Sequence, residues 1–563
     1  MSAISAGDWK LVLGTLATSP ENTIAVYQWP QRFQQFIETG LDSLRRDDID
    51  DLVREHPFLA EDIPSTEDRL TTHSDELIVA GRAWLWSSKL YRGGEGSHRF
   101  DVNCSNVAKT IYSSTIAGQS AGFPIPIEYS LIPGYRLRRE FACVPVTNDA
   151  TEDSRSRREM SRYIQTISTL QLLRAEGIAV GKICRSELND FKSLLSLKSG
   201  GRFRTLPCDV VMNSLRDAIC FVLERGDSIV DSYIALATRA SDVGSSVCAY
   251  ATGLEAKGKL RFAAGDMTLT SWTITSPAAG CRQRGDFYEE LRGSPGVYEA
   301  VRILLGASQV VIGSLSARRV GELVDLYPDT CLDASQSSLV FLNRKSGLAD
   351  LREEESRPIP PVAVASVRML KRLREGLASL GISVDAPLFA FPKAYEDGFT
   401  SLTQIQYCAS IDLFCDFSQV MLDENGRRYY LRQHQLRRWF AMLFFWGNSF
   451  GGVETLRWFL GHTDMEHLYH YVTEVTPGET LRTITAAWAV DAIRHEAPET
   501  RALAEVVRLQ FGTSDFRVLD EQKVCAYLEQ LIERQDIVIE PEFLDAGRTC
   551  RIVVKITGSR ETA

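Results

Sequence analysis

The chain has no net positive charge to offer a polyanion: its formal charge is −10 over 563 residues. Total charge alone would argue against nucleic acid as a partner, but affinity for phosphates depends on the local face presented to them. That face is uneven along the chain. Residues 1–135 hold 11 Lys/Arg and 18 Asp/Glu, and residues 475–563 hold 11 and 15, whereas residues 136–204 hold 14 basic and 8 acidic side chains. The acidic ends favour protein contacts, and the basic middle is either a solvated face or a phosphate contact. No two of the twelve cysteines are spaced C-x-x-C, which argues against a zinc ribbon or thioredoxin-like motif. Their scatter suggests free thiols in a reducing cytoplasm rather than a disulfide framework. The apolar runs fall short of the roughly 18 residues expected of a bilayer span. The N-terminal segment Met1–Lys10 has no basic stretch followed by an apolar core, so neither a secretory signal nor a membrane partner is expected. P-loop, metal-binding carboxylate cluster, internal repeat and low-complexity tract are likewise missing.

The hydrophobic periodicity describes a multidomain, mainly α protein with a small β-sheet. Length alone suggests three or four domains. Residues 1–80 read as helical and acidic, and 85–145 mix short apolar stretches with Gly and Pro. A polar stretch, 147–158, reads as a linker or exposed loop. In 208–226, Val211, Leu215, Ile219 and Val222 recur at helical spacing. Helices are expected again over 296–326 and 404–490, a hairpin or small sheet over 338–362, and two strands over 536–556. The expected boundaries are 1–150, an N-terminal domain of unknown role; 151–290, a helical segment; 291–475, an α+β domain; and 476–563, a helix followed by a β-hairpin.

Histidine is scarce, and half of it is concentrated: of eight residues, four lie between His434 and His470. Their neighbours are informative. Arg319-Val320-Gly321-Glu322-Leu323 ends an apolar helix, and Lys345 falls in the expected hairpin. His434-Gln435-Leu436-Arg437 places a histidine and an arginine on one helical face. Leu460-Gly461-His462 follows, with Tyr471 nine residues beyond His462. In this order the residues resemble the tyrosine recombinase (phage integrase) family, over about residues 290–475. That family carries R-x-[S/G]-E-L, a hairpin lysine, H-x-L-R, L-G-H, and a tyrosine nine residues after that histidine.

The resemblance implies a site-specific recombinase or integrase that cleaves and rejoins DNA through a 3′-phosphotyrosyl intermediate, for a mobile genetic element. It makes Tyr471 the nucleophile, Arg319 and Arg437 the phosphate ligands, His434 the base or proton relay, and His462 a phosphate ligand. Lys345 becomes the acid for the leaving oxygen, and Glu322 a carboxylate holding an arginine or histidine. Elementary chemistry asks for the same residue types. Extra charge on a phosphodiester is stabilised by forked guanidinium hydrogen bonds. A neutral tyrosine, with pKa about 10, needs a proton acceptor and a positive environment. Transesterification conserves the bond energy, so neither metal nor ATP is required.

Rival residues stand beside several of these. Tyr469 and Tyr407 compete with Tyr471, and two helical positions about 200° apart cannot both face one pocket. Arg318 beside Arg319, and Arg438 beside Arg437, are expected at the surface or on the DNA backbone. His467 and His470 are expected to be surface residues, and a zinc site with His462 lacks suitable partners. The aromatic run Trp439–Trp446 reads as helix core.

The resemblance further implies a clamp on double-stranded DNA recombination sites, made by a core-binding domain at 151–290 and a catalytic domain at 291–475. It implies a homotetramer of subunits on DNA, accessory proteins, and a cytoplasmic, nucleoid-associated setting in a bacterium. Residues 478–493 would be the helix that docks on a neighbouring subunit. Two other readings stand beside it: a DNA-binding or regulatory protein that keeps the fold without the reaction, and a type IB topoisomerase or telomere resolvase that shares the chemistry.

Overall fold

The computed structural model describes residues 4–557 except 19–20, 62, 65, 67–68, 93–100, 114, 116–122, 132–138, 147–154, 199–202, 275–283, 344–351, 395, 448–452, 462–478, 514 and 545–548. As expected, the protein is mainly helical, and its described strands form four two-stranded antiparallel hairpins. The chain divides into two compact units, Met1–Leu137 with Thr147–Phe203 and Thr275–Phe287, and Arg138–Val146 with Arg204–Ile274 and Tyr288–Ala563. These boundaries differ from those drawn on the sequence, and packing explains why.

The first unit has two apolar clusters. In one, helices Trp29–Leu41 and Asp75–Ser87 bury Trp29, Phe33, Ile37, Ile78 and Leu85 with Phe123 and Tyr129. Gly40 permits that crossing, because a Cβ there would lie 2.2 Å from the Trp84 ring. Buried Arg82 ties the cluster to its loops, donating to the carbonyls of Glu128 (2.9 Å) and Leu59 (3.2 Å). In the other cluster, Leu13 and Leu16 of helix Ala6–Ala17 pack on Met160, Ile164 and Leu188 of helices Arg157–Thr169 and Arg185–Leu194. The first helix of the chain therefore completes the core of the basic segment, and the chain does not divide at 150/151.

The second unit is built around two long helices, α1 (Cys208–Asp242) and α2 (Val297–Ser316). By length and composition α2 would pass as a membrane span, but 89% of it is buried inside the protein. A helix apolar on all sides belongs at the centre of a core. It packs on α1, on α4 (Pro361–Ala378), on α5 (Gln404–Phe417) and on α6 (Gln433–Gly447). Gly306 lets α5 approach, since a Cβ there would meet the Ser410 carbonyl oxygen at 2.2 Å. The α1–α2 contact joins 204–274 to the C-terminal part of the chain, so the 290/291 division is not a unit boundary.

Between α2 and α4 come the short α3 (Val320–Val324) and a hairpin of β1 (Ser338–Leu342) and β2 (Glu354–Pro358), pairing Leu342 with Glu354 at the turn end. This is the hairpin expected over 338–362. After α6 comes α7 (Val453–Leu460), and then α8 (Glu479–Arg494), α9 (Arg501–Phe511) and α10 (Glu521–Glu533). The final strands β3 (Ile537–Leu544) and β4 (Thr549–Ile556) pair along their full length, as the alternation over 536–556 predicts.

Residues after 478 do not stand apart. Ala486, Trp488, Ala489, Val490 and Ile493 of α8 share one apolar cluster with Met442 and Phe445 of α6 and with Leu456, Phe459 and Leu460 of α7. Leu503, Val507, Val524 and Leu528 close it. Trp488 of α8, the helix expected to dock on a neighbouring subunit, packs in that cluster within the chain.

Candidate functional site

The candidate site lies where four segments of the second unit meet. Helix α2 ends at Ala317, whose left-handed backbone (φ 51°) turns the chain sharply. Such a conformation costs a non-glycine residue about 1 kcal/mol. The turn aims Arg318 inward and makes Arg319 the cap of α3. Glu322 then serves Arg319 twice, accepting the backbone N–H at Oε2 (3.0 Å) and Nη1 at Oε1 (2.8 Å). This is why Arg and Glu stand three apart. The Glu322 side chain is fully buried, while Arg319 keeps 15% of its side chain exposed. Of the two roles open to Glu322 in the sequence, holding an arginine is the one observed.

The start of α6 is set against the same turn by Gln433, whose Nε2 donates to the carbonyls of Gly313 and Arg318, both at 2.8 Å. Gly313 is required there, since a Cβ would lie 2.2 Å from Gln433 Oε1. One residue on, His434 feels Arg437, Arg319 and Glu322 electrostatically. Burial first, and then the two guanidiniums, hold its imidazole below the ordinary value. A neutral ring at pH 7 can accept a proton.

Arg437 is completely buried. Its Nη1 donates to the Ala317 carbonyl (2.5 Å) and its Nη2 to the Leu460 carbonyl (2.6 Å), joining the end of α2 to the end of α7. Arg319, Glu322, His434 and Arg437, singled out in the sequence, are thus brought together. Lys345, His462 and Tyr471, with their rivals Tyr469, His467 and His470, lie outside the described residues.

Two expectations are corrected. Arg318 and Arg438, expected at the surface or on DNA, are 1% and 5% exposed. Arg318 donates to the Ser316 carbonyl (2.9 Å) and to the Phe459 carbonyl, and its guanidinium lies 4.5 Å from the centre of the Phe341 ring. Burial, reinforced by Arg437, pushes its acidity up, well away from that of a free guanidinium. A residue next to a functional arginine is easily read as a surface neighbour, yet the Ala317 turn reverses its direction. Tyr407 is removed as a rival nucleophile. It is fully buried in α5, edge-on to Phe389, and burial pushes its hydroxyl pKa up. The described part of the aromatic run is core, as read: Trp439, Ala441, Met442 and Phe445 are buried.

Sequence reasoning missed Arg357 on β2. It is 6% exposed, and its Nε donates to the Trp458 carbonyl (2.9 Å) while Nη2 bonds Glu355 Oε2 (2.5 Å). Its guanidinium sits 4.4 Å from the Trp458 ring centre. The only available signal was an arginine at the inward-facing position of a strand otherwise charged and exposed. Among the described residues, Arg318, Arg319, Arg357 and Arg437 face two carboxylates, Glu322 and Glu355, an excess of two positive charges within that set. A buried cationic excess is costly unless anionic or dipolar groups offset it. The exposed part of Arg319 and the half-buried His434 are where a bound anion would meet it. Comparison with family models, with curated proteins and with solved structures gives no match to this chain.

Proposed function

We propose that the protein is a DNA strand transferase of the tyrosine recombinase type, with Tyr471 as nucleophile. The observation that carries this reading is the convergence of Arg319, Glu322, His434 and Arg437 into one cationic cluster around a histidine held neutral. Phosphodiester transesterification needs residues of these types, and they come from two segments about a hundred residues apart in the chain. In the proposed reaction Arg319, held by Glu322, binds the non-bridging oxygens. Arg437, expected as the second phosphate ligand, is enclosed and donates to the Ala317 and Leu460 carbonyls, so that it orders the cluster instead. The Tyr471 hydroxyl passes its proton to His434 and attacks phosphorus, and the P–O bond to the 5′-oxygen breaks. Lys345 protonates that oxygen, and His462 hydrogen-bonds the phosphate. The 3′-phosphotyrosyl bond then exchanges with another 5′-hydroxyl, so one P–O bond replaces another. On this reading the substrate is a duplex recombination site held by a tetramer, with residues 1–150 open to accessory contacts.

The test is to incubate the full chain with nicked duplexes drawn from the DNA flanking its own gene. Covalent adduct retained in denaturing gels and lost in Tyr471→Phe supports the reading. Adduct equally abundant in that variant, or none with any duplex, refutes it. A second reading has its own observation: Arg437 is enclosed and directs both terminal nitrogens at backbone carbonyls. That suits a protein that binds duplex DNA at this cluster without cutting it. Retained DNA affinity with no adduct would favour it.

A further inference from the structure

Three consecutive carbonyls at the end of α7 each receive a guanidinium. Arg357 Nε donates to Trp458 (2.9 Å), Arg318 Nη2 to Phe459, and Arg437 Nη2 to Leu460 (2.6 Å). The three arginines come from three places: strand β2, the α2–α3 turn and helix α6. The last carbonyls of a helix have no partner within it and carry the negative end of its dipole. They are ordinarily met by solvent or by a glycine-based cap. Here Gly461 takes the left-handed conformation (φ 63°) and its N–H donates to the Trp458 carbonyl (3.1 Å), and the three carbonyls before it are held by buried cations as well. Hydrogen bonds to a charged donor in a buried setting are the stronger kind, so this helix end is pinned from three sides.

The pinning reaches the β1–β2 hairpin as well. Glu355 accepts from Arg357 and, at 2.6 Å, from Asn343 Nδ2. Asn343 follows β1 directly, and Lys345 stands two residues beyond it in the sequence. The two polar atoms nearest to where a Gly461 Cβ would stand are Asn343 Nδ2 (3.5 Å) and Glu355 Oε2 (3.7 Å). The chain Asn343–Glu355–Arg357–Trp458 therefore joins the root of the hairpin to the exit of α7. His462 is the next residue after that exit, and Tyr471 lies nine beyond it.

We propose that Arg318 and Arg357 are positioning residues. They pin the α7 terminus so that Gly461 and the hairpin root at Asn343 keep a fixed relation to the Arg319–His434 cluster. Arg357 is the coupling element, because it hydrogen-bonds both the hairpin carboxylate of Glu355 and the Trp458 carbonyl of α7. The catalytic consequence rests on the transferase reading, whereas the pinning does not.

The experiment compares the full chain with Arg357→Met, Arg357→Lys and Arg318→Met. Hydrogen exchange without DNA reads the peptide Val453–Gly461 against peptides from α2 and α4. Single-turnover adduct formation on nicked duplexes, at saturating DNA and across a DNA titration, reads the chemistry. Losing one charged hydrogen bond at the terminus should speed exchange of the Val453–Gly461 peptide roughly 10- to 100-fold, with α2 and α4 unchanged. Adduct formation should slow by a similar factor at saturating DNA, without a shift in half-saturation, and Arg357→Lys should recover part of both. Unchanged exchange in that peptide overturns the proposal, as does faster exchange throughout the unit. A change confined to half-saturation overturns the positioning role. If the parent chain forms no adduct, the transferase reading fails, and the exchange result alone decides whether the pinning stands.

Discussion

Replacing Gly313 by alanine puts the packing argument to a stringent test. The new Cβ would stand 2.2 Å from Gln433 Oε1, 3.0 Å from its Cδ and 3.1 Å from its Nε2. Gln433 is only 3% exposed, so it has no solvent to retreat into. Moving it breaks the bonds to the Gly313 and Arg318 carbonyls, each worth about 1 kcal/mol net and more where a carbonyl is left dry. Overpacking adds about 1–3 kcal/mol, and the better helix propensity of alanine returns about 1 kcal/mol. The net expectation is a loss of about 2–4 kcal/mol. In a Gln433→Ala background the methyl has room, so only the propensity gain remains and Gly313→Ala should stabilise by about 1 kcal/mol. A chain of two units is unsuited to a single unfolding free energy, so the measurement is exchange of amides in α2 and α6 for the four members of the double-mutant cycle. Equal destabilisation in both backgrounds would refute the claim that Gln433 is what Gly313 accommodates.

Glu299 is fully buried, and burial raises its pKa to about 7 from 4.5. The folded state therefore holds a proton that the unfolded state releases, and stability is lost as pH rises from 4.5 through 7. Glu299→Gln should stabilise the second unit by about 1–3 kcal/mol at pH 8 and little at pH 4.5, as read by denaturation midpoints at the two values. His434 shifts the other way, so below its ordinary pKa of about 6.5 the unfolded state binds the extra proton and stability falls with pH. If the neutral ring is the proton acceptor, the acid limb of adduct formation lies below pH 6.5, and a limb at or above it contradicts that role. Truncation after Val472 removes the residues that cover Met442, Phe445, Leu456 and Phe459. The product should aggregate or lose α6 and α7 protection in hydrogen exchange, whereas a soluble, fully protected product would show that the C-terminal cluster is dispensable.

Part of the site was legible because it is written in local spacing. Glu322 bonds the residue three before it, and His434 and Arg437 are one helical turn apart, so sequence distance stands in for spatial distance. The hairpins at 338–358 and 537–556 were legible for the same reason: alternation reports a two-residue period directly. The direction of Arg318 and Arg438 was not legible. Neighbouring residues share an address in the sequence but not a side of the chain, and the left-handed Ala317 decides which arginine faces inward. Arg357 and Gln433 were invisible because their partners, at Trp458 and Gly313, lie about a hundred residues away.

The sequence by itself determined the helical character, the hairpins, and the spacing that joins Arg319 to Glu322 and His434 to Arg437, since each follows from periodicity or short spacing. Only the tertiary structure decided where the units divide, because burial of α2 against α1 and of α8 against α6 joins segments far apart in the chain. It alone decided that three arginines meet three carbonyls at the end of α7. That arrangement needs a strand, a turn and a helix to arrive at one point, and no local rule of sequence records their meeting.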